Sequence, residues 1–355
     1  MADSEDEHGV LHVLDLPQLY TKPSASAILS ALKLIATDVP SWDTSTPSKT
    51  HAQSVNPAGL PAYLTGFIAS SLSWIEDTNE REQIWDLASK RLTERSGRSA
   101  MPPMTRSFRI PLDPEASESV SIRLHEPSMT SDNLGLKTWA ASYLLAKRLA
   151  TLRTDIPALH PPLTRGLPVG DFQHDRVRVL ELGSGTGLVG LAAAAVWHAD
   201  VRLTDLPEIE TNLAANAEAN AEPVGENGGC ATAGVLDWSE SGRPLTPEEN
   251  RYPVIVVADP LYSPEHPKLL VETISRWLKP APTARVVVEL PIREAYLPEV
   301  REFRDRMREA GLAIVKEGEE VGYDDWRSSG EDGGLKEVKC WWGIWSWATC
   351  IPSST

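Results

Sequence analysis

The residues with chemical potential gather in one glycine-rich turn and three short acidic-aromatic clusters. Glu181-Leu182-Gly183-Ser184-Gly185-Thr186-Gly187 follows an apolar run over 177–182 and precedes Leu188, Leu191, Ala192 and Val196, which are spaced as one face of a helix. A strand, a glycine turn and a helix N-terminus present bare backbone and oriented N–H donors to a ligand. Gly185-Thr186-Gly187-Leu188-Val189-Gly190 also satisfies the dinucleotide spacing, so the glycines by themselves leave NAD and S-adenosylmethionine open. Glu181 tips the choice, because a carboxylate at the strand end repels a pyrophosphate and suits a cofactor bearing an amino group and a sulfonium.

The next cluster is Thr204-Asp205, about 18 residues beyond Gly187, near the spacing at which an acidic residue grips ribose hydroxyls. Asp205 is also placed to cap a helix over 207–219. Leu236-Asp237-Trp238 then offers an acceptor for an adenine amino group beside a flat apolar face, although a tryptophan there also fills helix-to-sheet gaps. Asp259-Pro260-Leu261-Tyr262 stands just past the run Val254 to Ala258. In an open α/β sheet, that edge is where ligands bind. A capping Asp before a turn proline is the local alternative.

These residues need a sheet to position them. Apolar strand-like runs alternate with helical patterns in the second half of the chain, as in a parallel sheet covered on both faces. The pattern predicts seven strands, at 178–182, 200–204, 229–235, 254–258, 285–289, 313–317 and 338–348. The last of these carries Cys340-Trp341-Trp342-Gly343-Ile344-Trp345-Ser346-Trp347, an aromatic stretch that completes the sheet. The fold class is therefore α/β, a Rossmann-like seven-stranded sheet with an N-terminal helical module. The helical module spans 1–105, with helices near 25–36, 61–74 and 80–95 separated by a polar loop over 41–59. A strand pair at 107–112 and 119–124 and a helix over 135–149 occupy 106–150, and the sheet domain occupies 151–355. Residues 322–334 read as a loop. Trp74 and Trp85 are expected in the core of the helical module, for which the sequence suggests a role in substrate recognition.

Composition sets the outer limits. The 355 residues carry a formal net charge of −16, which argues against a nucleic-acid backbone as the main partner. No apolar run is long enough to span a bilayer, and the acidic N-terminus lacks the basic character of a secretory or mitochondrial leader, so the cytoplasm is the expected location. Cys230, Cys340 and Cys350 lie far apart, without the paired spacing of a zinc site, and read as packing residues with no metal.

Taken in order, Leu134-Gly135-Leu136-Lys137-Thr138-Trp139, Val179 to Gly187, Thr204-Asp205, Leu236-Asp237-Trp238 and Ala258-Asp259-Pro260-Leu261-Tyr262 resemble the non-SET seven-β-strand protein-lysine methyltransferases. The similarity is greatest to the fungal members that act on translation elongation factor 2. It covers about two thirds of the chain by motif, and Tyr63-Leu64 and Ser73-Trp74 in the helical module also look like that branch. The resemblance implies an S-adenosylmethionine-dependent enzyme with a protein substrate, elongation factor 2. By it, Trp139 flanks the cofactor, Gly183 and Gly185 approach it, Asp205 holds the ribose, Trp238 packs on adenine and Ala258 lines the same cavity. Glu181, Ser184 and Asp237 complete the expected cofactor set. Asp259 and Tyr262 stand at the methyl-transfer mouth. Pro260 departs toward the motif of amino-group methyltransferases acting on nucleobases, while Leu261 breaks that match. The readings left open are a methyltransferase for a nucleobase or small-molecule amine, an NAD-dependent oxidoreductase, and a silent binding module that kept the cofactor fold.

Overall fold

The structure is a computed structural model that describes residues 11–36, 55–56, 58–93, 103–128, 134–160, 176–240, 246–324 and 336–348. The chain divides into two compact units, one within 1–103 and one built from 104–127, 132–325 and 334–355, with short segments at 128–131 and 326–333 assigned to the first. The strand pair and the sheet thus belong to one unit.

In the first unit, α1 (Ala25–Leu34), α2 (Leu60–Ala69) and α3 (Thr78–Thr93) pack around Ile28, Leu32, Leu64, Phe67 and Ile84. Ser24 caps α1 by accepting the Ala27 N–H. Trp74 and Trp85 pack against this core, and their indole N–H groups donate to Pro23 O and Ser70 O, as expected of half-buried tryptophans. The second helix ends at Ala69, short of the expected Trp74. Most of the expected loop over 41–59 lies outside the described residues.

The second unit opens with the antiparallel pair β1 (Met104–Pro111) and β2 (Ser119–Glu126), followed by α4 (Ala140–Leu152). The segment expected to start a helix at Gly135 instead makes one 3-10 turn at Leu134–Leu136 before α4 begins. Then come β3 (Arg178–Leu182), α5 (Leu188–Trp197), β4 (Asp200–Asp205), α6 (Pro207–Ala219), α7 (Ala221–Glu226), β5 (Cys230–Val235) and β6 (Val254–Ala258). The chain continues through α8 (His266–Trp277), β7 (Arg285–Pro291), α9 (Leu297–Glu309), β8 (Leu312–Asp324) and β9 (Lys336–Trp347).

The seven-stranded sheet has the order β5-β4-β3-β6-β7-β9-β8. Neighbours from β5 to β7 are parallel, while β9 runs antiparallel to both β7 and β8. The strand order reverses between β3 and β6, which opens a crevice at their carboxyl ends. The central strands are apolar on both faces because helices cover both: β6 is buried along its whole length. Trp345 on β9 is fully buried against Phe303 of α9, edge to face at 6.2 Å. A buried aromatic of this kind removes ~150–250 Å² from water, which is worth about 4–6 kcal/mol at ~25 cal/mol per Å². The aromatic C-terminal stretch thus completes the sheet, as its sequence suggests. β8 is longer than predicted and takes in 322–324; the rest of the expected loop lies outside the described residues.

Candidate active site

The turn after β3 is held by its neighbours. Gly183 and Gly185 both have positive φ, +68° and +55°, a region that a side chain disfavours. A Cβ on Gly185 would come within 2.9 Å of Gly135 O, and one on Gly183 within 3.2 Å of the Trp238 ring. Ser184 does not face outward: its hydroxyl accepts the Thr204 N–H while its own N–H donates to Thr204 O, bolting the turn to β4. From α6, Asn216 donates to Thr186 O and exchanges bonds with the backbone of His125, and Asn220, one helical turn on, does the same with Arg123. Two asparagines spaced i, i+4 thereby match alternate residues of β2, and α6 clamps both strand and turn.

Asp205 stands at the end of β4 and accepts the Gly185 N–H at 2.7 Å and the Leu206 N–H at 2.8 Å, one on each carboxylate oxygen. Burial pushes its carboxyl above the usual range, and these two bonds oppose the shift. Beside it, Trp238 is half-buried with its ring edge toward Gly183. Asp237 spends Oδ1 on the Ser239 N–H in a local turn. Ala258 is buried at the end of β6.

Glu181 departs from the expectation. Its side chain is buried beneath α5, where a Cβ on Gly190 would lie 2.5 Å from Oε2. Oε2 has no hydrogen-bond partner among the described residues, and burial pushes the carboxyl up to about 8. Burial disfavours the charged form of this carboxyl, which weakens the charge argument for S-adenosylmethionine over NAD. Gly190, the third glycine of the dinucleotide-like spacing, lets α5 approach Leu203 and Glu181 closely.

Asp259 follows β6 with φ +50°, a strained conformation for a residue with a side chain. Its N–H donates to Glu289 O, and its Oδ2 accepts from Arg293 at 3.1 Å. Burial raises its carboxyl, and Arg293 opposes the shift. Tyr262 is 45% exposed, with its ring edge-on to His266 at 4.3 Å. His266 in turn meets Trp238 edge-on at 6.1 Å, and its Nδ1 lies 2.8 Å from Pro260 O and 3.5 Å from the Tyr262 N. Trp139, at the N-terminus of α4, lies beneath the Arg293 guanidinium at 5.3 Å.

One contact chain therefore runs from Gly185 and Asp205 through Gly183, Trp238, His266 and Tyr262. Asp259, Arg293 and Trp139 form a second contact chain, and Tyr262, three residues after Asp259, ends the first; burial raises the Tyr262 hydroxyl, followed by the charges of Asp205 and Asp259. Bare backbone at two glycines, a carboxylate fixed by two N–H groups and a flat indole are the parts an adenosine-bearing cofactor requires. Glu181 and Ser184 support that cradle from behind. His266 and Arg293 were not expected from the sequence. His266 had a signal in the i, i+4 spacing from Tyr262, whereas Arg293 lies 34 residues from Asp259 and had none. Among the described residues no group of His, Cys, Asp and Glu is arranged to hold a metal ion, and Cys340 is a buried free thiol.

A family model described as lysine methyltransferase matches residues 117–303. The chain is 37% identical over 247 residues to the protein-lysine N-methyltransferase EFM2 of Saccharomyces cerevisiae, a match that covers 67% of this chain and 55% of that protein. It thus spans about half the length of that relative. It is 31% identical to the protein-lysine N-methyltransferase rrg1 of Schizosaccharomyces pombe, over 95% of this chain and 99% of that one. The calmodulin-lysine N-methyltransferase of Arabidopsis thaliana is 31% identical over 39% of this chain and 44% of its own length. These relatives do not favour an NAD-dependent oxidoreductase. With the cradle described above, they place the chain in the lysine methyltransferase family, with S-adenosylmethionine as its cofactor.

Proposed function

We propose that this protein methylates a lysine side chain of translation elongation factor 2, in the cytoplasm. The observation that carries the reading is that the glycine turn tied to Asp205 and the buried Asp259–Arg293 pair stand at the carboxyl edge of strands that flank β3. The motifs that resemble the fungal branch support the choice of substrate, and the net charge of −16 favours a protein over a nucleic acid. Asp205 would hold the ribose, Gly183 and Gly185 the methionine portion, and Trp238 and Trp139 the flat and flanking walls. When bound, S-adenosylmethionine supplies an electrophilic methyl group on a sulfonium.

The residues of this chain face the harder task of presenting a free amine. A lysine with a reference pKa near 10.4 arrives as an ammonium. Asp259 attracts that charge, and the Tyr262 ring gives it an aromatic wall. Desolvation between Tyr262, His266 and Trp139 then disfavours the ammonium and releases its proton to water. Asp259 favours the charged form, so it docks and orients rather than serving as the base. Alignment and exclusion of water account for the rest of the rate. No helix among the described residues is long and apolar enough to cross a membrane.

The test is transfer of a labelled methyl group to elongation factor 2 purified from cells lacking this chain, with mass spectrometry locating the mark. Elongation factor 2 with the same lysine methylation in cells with and without the chain would refute the substrate. We infer that the helical first unit selects the substrate. Its removal should leave cofactor binding by the remainder intact while abolishing labelling, and full labelling by the remainder would refute that role.

A further inference from the structure

We propose that Arg293 is a positioning residue for methyl transfer: it holds the Asp259 carboxylate in place, opposes its protonation, and leaves one of its oxygens to the incoming lysine ammonium. This rests on the reading of Asp259 as the docking group.

Three observations carry the assignment. Asp259 sits at φ +50° with a side chain only 5% exposed, so its position is imposed by its surroundings. Arg293 supplies the ion pair, at 3.1 Å, and engages Oδ2 alone of the two oxygens. The same guanidinium lies over the Trp139 ring, 5.3 Å from its centroid, a second contact that holds it. A buried carboxyl stripped of its cation takes up a proton, and a neutral acid no longer attracts an ammonium. The other groups around this carboxylate are Tyr262 beyond β6 and the Cys340 thiol on β9. Cys340 also senses Glu289 on β7 and Glu320 on β8, which pairs with Arg148 of α4, and Lys137 shares the Trp139 ring. Arg293 is the cation among these that acts directly on Asp259. Its side chain is 30% exposed, so packing alone gives little reason for it to be held.

Arg293→Ala and Arg293→Gln in the full chain test the assignment, by label transfer to elongation factor 2 across pH. Both should lower kcat/KM on the order of 100-fold. Both should also move the acid limb of the profile to higher pH, because Asp259 loses the charge that opposes its protonation. A residue that merely braced the fold would lower the rate by one factor at every pH. Carbon-13 titration of the Asp259 carboxyl, assigned by its absence in Asp259→Asn, should show the same upward movement without any substrate. If Arg293→Ala does not fold, Arg293→Gln keeps a hydrogen-bond donor on a shorter side chain without the charge and gives the same reading. An unmoved acid limb or carboxyl titration in a folded variant overturns the proposal. Wild-type protein that binds S-adenosylmethionine and leaves elongation factor 2 unlabelled refutes the substrate instead, and the carboxyl titration still decides the role of Arg293.

Discussion

Replacing Glu181 by Gln should make the protein more stable as pH rises. The side chain is buried beneath α5, and its carboxyl is raised from 4.5 to about 8, chiefly by burial. The sign follows from proton linkage. Between these two values the folded chain holds a proton that the unfolded chain has released, so stability is full below 4.5 and is lost as pH rises through 8. Each pH unit inside that window costs about 1.4 kcal/mol, so the interval from pH 5 to pH 7 costs about 3 kcal/mol. Gln keeps the shape of the neutral acid and cannot lose its proton. Asp205, Asp259 and Glu289 also titrate upward, but they are present in both proteins and cancel to first order in the comparison. Calorimetric unfolding of wild type and variant at pH 5, 6 and 7 reads the difference. At ~2–4 °C per kcal/mol for a unit of this size, the gap should widen by about 6–12 °C over that range. A gap that stays constant with pH would show that Glu181 is ionised in the fold, and the reasoning from burial would be wrong.

Asp205→Ala removes the acceptor of the Gly185 and Leu206 N–H groups and should weaken S-adenosylmethionine binding by about 10- to 100-fold, the worth of one charge-assisted bond; titration calorimetry with an unchanged dissociation constant would count against it. Asp259→Asn and Tyr262→Phe should slow label transfer by about tenfold or more while cofactor affinity stays within about twofold, and wild-type turnover in both would remove them from the acceptor site. Gly190→Val places methyl groups where Leu203 and Glu181 already stand, with the Cβ itself 2.1 Å from Leu203 Cδ2, so urea unfolding should show a loss of about 1–3 kcal/mol.

Strands β3 and β6 were legible to the residue: β6 is the unbroken apolar run that two-sided burial writes, and β3 departs from it only at Arg178 and Glu181. The ends of β7 and β8 were not: Leu290-Pro291 and Gly322-Tyr323 carry the turn-forming residues that sequence reading treats as stops, yet ladders with β9 hold them as strand. The acidic and aromatic clusters at the ends of β4, β5 and β6 were legible as positions, since a parallel sheet sends each strand end to one edge. Side-chain direction was not legible. Glu181 pairs with Leu203, two residues inside the end of β4 where Asp205 stands, and α5 covers it closely at Gly190. Arg293 illustrates the other limit, because an arginine after a strand is ordinarily solvated and nothing local announces its partner.

Glu181, Asp205, Asp259 and Glu289 stand at the carboxyl ends of β3, β4, β6 and β7, and burial raises all four. Four desolvated acids at one edge oppose folding near neutral pH, and a scaffold selected for stability alone would replace them with apolar residues. Their presence makes sense where the ligands are cations. On the proposed reading of the site, a sulfonium and a lysine ammonium each bring a positive charge to this edge, so an acid that burial pushes toward its neutral form gives up its proton more readily once they arrive. Arg293 already plays that part for Asp259. The protein therefore places four desolvated acids at an edge whose charge is completed by what it binds, and of the four Asp259 is the one to which a guanidinium donates a hydrogen bond before the substrate enters.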